Sequence, residues 1–147
     1  MVPTALPRRF FERATVEVAR DLPGCRLHFG PHHGVITETE AYLPEGDEAA
    51  HAFRGRTPRT EVLYGPAGRA YVFLIYGIHH CLNVVCEPEG VPGCVLVRAV
   101  EGWGDGPGKL TRYAGITLAH NGVPLTITAP ADPPADAIED DLLAQMA

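Results

Sequence analysis

Glu38, Glu40 and Tyr42 occupy alternate positions in the segment Thr37-Glu38-Thr39-Glu40-Ala41-Tyr42. In an extended strand they point to one face, and Thr39 and Ala41 to the other. Two carboxylates and a phenol beside a Gly- and Pro-rich loop suit acid–base chemistry: a carboxylate can take a proton from water, and a tyrosine ring can stack on a planar ligand. A plain solvent-facing strand has the same composition. His51 follows eleven residues after Glu40, in a loop that also carries Arg54, Arg56 and Arg59. It can bind a ligand, bind a metal or cap a turn. His79-His80 can touch a phosphate or simply end a strand.

The chemistry that is excluded is equally informative. The sequence has no serine, which rules out every Ser-based nucleophile, the Ser-His-Asp triad included. Lys109 is its one lysine and so the single side-chain candidate for a Schiff base. Gly106-Pro107-Gly108-Lys109-Leu110 fails as a phosphate-binding P-loop, because Trp103 stands where the first glycine belongs and Leu110 where a Ser or Thr is required. It reads better as a turn opening a helix, with Lys109 free to meet an anion. Cys25, Cys81, Cys86 and Cys94 contain no C-x-x-C pair. On strands they act as small hydrophobes, and a zinc site joining them to His28, His32 or His33 is the minor alternative. Neither a metal nor a cofactor is expected.

Charge narrows the binding classes. The chain of 147 residues has a net charge of −6, which argues against binding nucleic acid through bulk positive charge. The charge is uneven, however. Residues 51–115 carry 7 basic and 5 acidic residues, whereas residues 116–147 carry 5 acidic and no basic ones. Phosphate contacts are therefore expected from the middle of the chain.

The elements that must position these groups follow from periodicity. Phe10, Phe11, Ala14, Val18, Ala19 and Leu22 recur at helical spacing and predict a helix over Arg8–Leu22, stopped by Pro23-Gly24. Strands are expected over Cys25–Phe29 and Val35–Tyr42 with a turn at Pro31–Gly34. Residues 43–60 read as an ordered functional loop with a helical turn near Asp47–Phe53, followed by a short helix over Thr60–Tyr64. Ala70–Tyr76 and Cys81–Cys86 read as an antiparallel hairpin turning near Tyr76-Gly77. Cys94–Val100 is a further strand, Pro107–Tyr113 a short helix and Val123–Ala129 a last strand. A helix over Asp136–Met146 completes the pattern. An aromatic at a hairpin tip, flanked by basic loops, suits insertion into a base stack; Tyr71 and Phe73 default to core or pocket wall. No repeat or linker is evident, so one domain over 1–147 is expected, with an acidic, loosely packed segment at 130–147. No apolar run reaches the ~20 residues that span a bilayer, and Met1–Phe11 lacks the apolar block of a signal peptide; a cytoplasmic protein without membrane attachment is expected.

Seven segments in order resemble one family, the alkyladenine (3-methyladenine or methylpurine) DNA glycosylases. They are Glu38-Thr39-Glu40-Ala41-Tyr42, Asp47-Glu48-Ala49-Ala50-His51, Gly55-Arg56-Thr57-Pro58-Arg59, Tyr71-Val72-Phe73-Leu74-Ile75-Tyr76-Gly77, Cys81-Leu82-Asn83, Val95-Leu96-Val97-Arg98-Ala99 and Gly106-Pro107-Gly108-Lys109-Leu110. The resemblance runs from about Ala19 to Ile116. It implies one compact α+β domain with a curved antiparallel sheet, surrounding helices and a protruding β-hairpin. It implies an enzyme acting on double-stranded DNA that contains damaged purines: 3-methyladenine, 7-methylguanine, hypoxanthine or ethenoadenine; a monomer is the default expectation. The damaged nucleotide is flipped out and its N-glycosidic bond hydrolysed without a cofactor, leaving an abasic site.

The roles the resemblance implies are specific. Glu40 matches the general base that activates water, and Arg98 the residue that helps hold it. Tyr42 matches one wall of the base pocket; His51 and Phe73 match the other, with Tyr71 alongside. Asn83 matches the residue that excludes guanine, and Tyr76 the side chain that fills the gap in the stack. Arg56, Arg59 and Lys109 are expected on the DNA. The sequence departs from the family at Phe73, where many relatives have Tyr, and at Ala99–Gly106, where many carry a longer basic loop. Two other readings compete: a non-catalytic nucleic-acid-binding module on the same fold, and a small metal-dependent hydrolase using His and Cys.

Overall fold

The computed structural model describes residues 4–130. Two short helices, α1 (Arg8–Phe11) and α2 (Thr15–Asp21), lead into strands β1 (Arg26–Phe29) and β2 (His32–Tyr42). A long loop with 3₁₀ turns at His51–Arg54 and Glu61–Tyr64 connects to β3 (Ala70–Ile75), β4 (His79–Cys86) and β5 (Gly93–Val100). Helix α3 (Pro107–Ala114), a 3₁₀ turn at Leu118–His120 and β6 (Thr126–Thr128) follow. The expected helix over Asp136–Met146 and the acidic segment beyond Pro130 lie outside the described residues.

All strand pairs are antiparallel, in the order β3-β4-β5-β2-β1-β6. The sheet is curled. Residues 122–125 run along the free edge of β3 through Gly122 N to Ala70 O, Ala70 N to Val123 O and Leu125 N to Gly68 O. The same stretch then enters β6, which pairs with β1 at the opposite edge. One short piece of chain thus reaches from one edge of the sheet to the other. The result is the compact α+β domain with a curved antiparallel sheet that the sequence led us to expect.

Alternation along the central strands explains the layering. Ala70 and Val72, Leu82 and Val84, and Val95 and Val97 face the helices and pack with Phe11, Val18, Leu22 and Leu110. The intervening Tyr71, Phe73, Cys81, Val85, Cys94 and Leu96 face the other way, under Ala52 and Leu63 of the loop. A period of two with both faces buried gives near-continuous apolar strands. The helices supply one cover and the 43–65 loop the other, and the candidate site lies on the loop side.

Three expectations about the elements need correction. The helix expected over Arg8–Leu22 is two helices. In a continuous helix Thr15 N would donate to Phe11 O. Here Glu87 takes both groups: its N donates to Phe11 O at 2.9 Å, and its Oε2 accepts from Thr15 N at 2.7 Å and from Thr15 Oγ1 at 2.8 Å. Glu87 thereby caps α2, whose own N-cap residue, Ala14, has no capping side chain. Glu87→Ala is expected to lower stability by about 2 kcal/mol, the scale of lost charge-assisted hydrogen bonds. A lower urea midpoint at unchanged slope is the result to look for, and an unchanged midpoint would show that the cap is dispensable.

The turn expected at Pro31–Gly34 is Gly30-Pro31, with Phe29 paired to His32 and Gly30 at φ +55°. Gly34 lies within β2 for a different reason: a Cβ there would come within 2.7 Å of Val100 Cγ1 and 2.8 Å of Glu101 O. The strand expected over Val123–Ala129 shortens to β6, because residues 122–125 are spent on the β3 edge.

Candidate active site

β2 holds the carboxylate and the first aromatic wall. Thr39 Oγ1 donates to Ala19 O at 2.6 Å, which ties one face of the strand to α2. Glu40 and Tyr42 therefore project to the other side. The β2–β5 pairing is regular from Thr39↔Val97 to Tyr42↔Cys94, but its register shifts on both sides of Glu38. Glu38 pairs with Ala99, so Arg98 has no partner of its own across the ladder. Such a bulge re-aims a side chain, and the Nη1 of Arg98 donates to Glu40 Oε2 at 2.8 Å. Each partner is a little under half exposed.

The opposite wall comes from the loop and β3. Asp47 fixes the loop by accepting from Leu43 N (2.9 Å) and Ala49 N (3.1 Å). The 3₁₀ turn that follows delivers His51. Its Nδ1 lies 2.8 Å from the Tyr71 hydroxyl, and its ring centroid lies 4.1 Å from that of Phe73. Asn83 is fully buried at the base, where its Nδ2 donates to Tyr71 O at 3.3 Å and its Oδ1 lies 3.6 Å from Cys94 Sγ.

A cavity of about 380 Å³ opens between these walls, lined among others by Tyr42, His51, Arg59, Phe73, Asn83 and Cys94. That volume suits a small planar ligand. Burial, with Arg59 nearby, holds the His51 pKa below its usual value. Burial pushes the Tyr71 phenol up to about 12. Tyr42 is also raised, by burial first and then by the neighbouring Glu40 carboxylate. Glu40 and Arg98 thus stand beside the Tyr42 wall, just outside the cavity lining.

The hairpin tip projects from the same region. Ile75, Tyr76, Gly77 and Ile78 form a tight turn with Ile78 N donating to Ile75 O at 3.1 Å. Tyr76 (φ +53°) and Gly77 (φ +67°) are both left-handed, as the hairpin-compatible type I′ turn requires. Glycine accepts this freely, but tyrosine does so at a cost. Tyr76 is 91% exposed, while also bordering the cavity.

The remaining expected residues separate. Arg56 lies outside the cavity, bound to both carboxylate oxygens of Glu61 and over the Tyr64 ring. Lys109 pairs with Asp105 at 3.0 Å on the surface. Arg59 is exposed but borders the cavity, its guanidinium carbon 5.6 Å from the Phe73 ring centroid. Cys94 and Ala49, which sequence reasoning passed over, also line the cavity. Cys94 reaches it through its pairing with Tyr42, a register that no local motif announces. All four cysteines are buried, and burial raises the Cys94 thiol to about 12, as a packing residue should behave. No helix among the described residues is long and apolar enough to cross a membrane.

Comparison with known proteins shows the family. The sequence pattern of the methylpurine-DNA glycosylase family matches residues 9–104. A Rickettsia felis protein provisionally described as a 3-methyladenine DNA glycosylase is 48% identical over 122 residues, which are 79% of this chain and 69% of that protein. A similarly described protein of Sodalis glossinidius is 47% identical over 129 residues, covering 84% and 76% of the two chains. One from Ehrlichia ruminantium is 44% identical over 129 residues, covering 82% and 69%. The match spans the strands that carry Glu40, Tyr42, Phe73, Asn83 and Arg98 and the loop that carries His51, and the chain belongs to the methylpurine-DNA glycosylase family, the DNA glycosylases that act as hydrolases in DNA repair.

Proposed function

We propose that this protein excises alkylated or deaminated purines from double-stranded DNA by a direct attack of water, with Glu40 as general base. The observation that carries the reading is the Glu40–Arg98 pair standing beside a purine-sized cavity walled by Tyr42 on one side and His51 and Phe73 on the other. The damaged nucleotide swings out of the duplex, because its sugar carbon is unreachable within the stack. Its base enters between the aromatic walls. Glu40 takes a proton from water while the oxygen bonds to C1′ of the sugar. The N-glycosidic bond breaks and its electron pair leaves with the base. Arg98 orients the Glu40 carboxylate and holds the water. Tyr76 fills the gap in the stack. Arg56 and Lys109 exchange Glu61 and Asp105 for DNA phosphates, so binding weakens as salt rises. The enzyme works as a monomer and needs neither metal nor cofactor. A non-catalytic module on this fold would lack the base or its arginine, and both are present.

Single-turnover release of base from duplexes containing hypoxanthine or ethenoadenine, and from methylated DNA, tests the reading. Release of any of these by wild type supports it; intact DNA binding with no release from any substrate would move the assignment to a binding module.

Asn83 carries a separate prediction. Its side chain is fixed from both ends, by Tyr71 O and by Cys94 Sγ, so it cannot swing aside for the exocyclic amino group of guanine. Asn83→Ala is expected to raise release of undamaged guanine by about tenfold, the scale of one removed steric or polar conflict. Guanine release equal to that of wild type would remove the gatekeeper role.

A further inference from the structure

Among the described residues, Arg59 is the one fixed charge in the cavity lining. Around it, burial holds the His51 pKa low, raises Tyr42, and raises Tyr71 and Cys94 each to about 12. Among the described residues no carboxylate lines this space. Glu40, beside the Tyr42 wall, is already matched by Arg98. Asp47, on the Cys94 side, is held by two backbone N–H groups. Glu48 opens onto a second cavity, of about 400 Å³, that shares Ala49, His51 and Arg59 as its wall.

Arg59 also differs from the chain's ion-paired cations. Arg13, Arg56, Arg98 and Lys109 each hold a carboxylate. Among the described residues Arg59 has no salt-bridge partner, and its guanidinium is spread over the face of Phe73 instead. The Tyr71 hydroxyl stands close enough to Arg59 for the guanidinium to oppose the rise that burial gives its pKa.

We infer that Arg59 is a specificity-determining residue of the base pocket, favouring neutral purines with acceptor atoms on their outer edge over cationic, ring-alkylated ones. The inference rests on the glycosylase reading above. When a neutral purine departs, the electron pair of the broken bond places negative charge on the base, and a fixed guanidinium donor stabilises that charge as it develops. A carbonyl oxygen or ring nitrogen gives the donor a partner. A cationic purine is positive when it enters and still partly positive in the transition state, so the same guanidinium repels it throughout. Solvent reaches Arg59, which moderates both effects. Arg59 thus serves the base pocket and not the phosphate contact that its sequence neighbourhood suggests.

The test compares wild type, Arg59→Gln and Arg59→Lys on duplexes containing hypoxanthine (neutral) or 7-methylguanine (cationic). Second-order single-turnover rates are measured with subsaturating enzyme at one salt concentration. Arg59→Gln is expected to lower the hypoxanthine to 7-methylguanine rate ratio by about tenfold, the scale of one charge-assisted hydrogen bond, and Arg59→Lys to restore most of it. Retained excision of 7-methylguanine shows that the variant is folded. An equal fall on both lesions would overturn the inference in favour of a phosphate contact, and an unchanged ratio would overturn it outright. Wild type that releases neither base would overturn the glycosylase reading and this inference with it, an outcome distinct from the other two.

Discussion

Glu40→Gln is expected to release damaged purines at least about 100-fold more slowly than wild type, within the ~10²–10⁴-fold range of a positioned general base. Glutamine keeps the shape of the side chain, and its amide oxygen can still accept from Arg98 Nη1, which lies 2.8 Å from Glu40 Oε2. What it cannot do is take a proton from water. The comparison therefore isolates proton transfer from positioning. Stability should scarcely change, because an ion pair whose partners are nearly half exposed contributes little to the fold. Affinity for duplex DNA should also hold, since the Tyr42, His51 and Phe73 walls remain. The measurement is single-turnover release, paired with a thermal midpoint and a DNA-binding isotherm. Release within a few fold of wild type would locate the base elsewhere, with Glu38 the first alternative on the same strand. If release and stability fell together, Glu40 would be a structural residue and the mechanism would need another carboxylate.

The features legible in the sequence are those set by local spacing. Aromatic and β-branched runs announced β3, β4 and β5 as strands, and Tyr76-Gly77 announced the hairpin turn because one of its residues is glycine. Glu40 and Tyr42 share a face because only one residue separates them. The features that escaped depend on partners far away in the chain. The break between α1 and α2 comes from Glu87, 72 residues beyond Thr15; helical periodicity runs straight through it because both halves still bury one side. The displacement of Arg98 from the ladder arises from paired bulges, which carry no glycine signal. Arg59 sits three residues from Arg56 and looks like the same basic surface, yet one binds Glu61 outside the cavity and the other covers Phe73 within it. Charge runs report composition, and only the fold decides which member of a run borders the cavity.

Tyr76 should separate stability from activity. Its backbone is left-handed at φ +53° and its side chain is 91% exposed, so the folded protein bears a conformational cost with no packing to offset it. Strain of this kind gathers at functional positions, where the surrounding turn holds it in place. Tyr76→Gly relieves the strain, and the unfolded chain gains freedom in partial opposition. The expected thermal midpoint is equal to or above that of wild type. Excision should move the other way. Inserting a side chain into the stack helps offset unstacking of a few kcal/mol, so removal of the ring is expected to slow single-turnover release by about 10- to 1,000-fold at 1.4 kcal/mol per decade. Tyr76→Ala should show the same loss without the relief, because alanine in the left-handed region keeps most of the backbone penalty. A fluorescent base analogue placed at the lesion would report flipping directly, and its signal should fall in both variants. Unchanged excision in Tyr76→Gly would mean that the exposed ring is not a wedge. A large fall in thermal midpoint would mean that Tyr76 packs in solution and that its cost is compensated within the fold. Excision falling while stability holds or rises is the combination that identifies a residue kept at this turn for the DNA it enters.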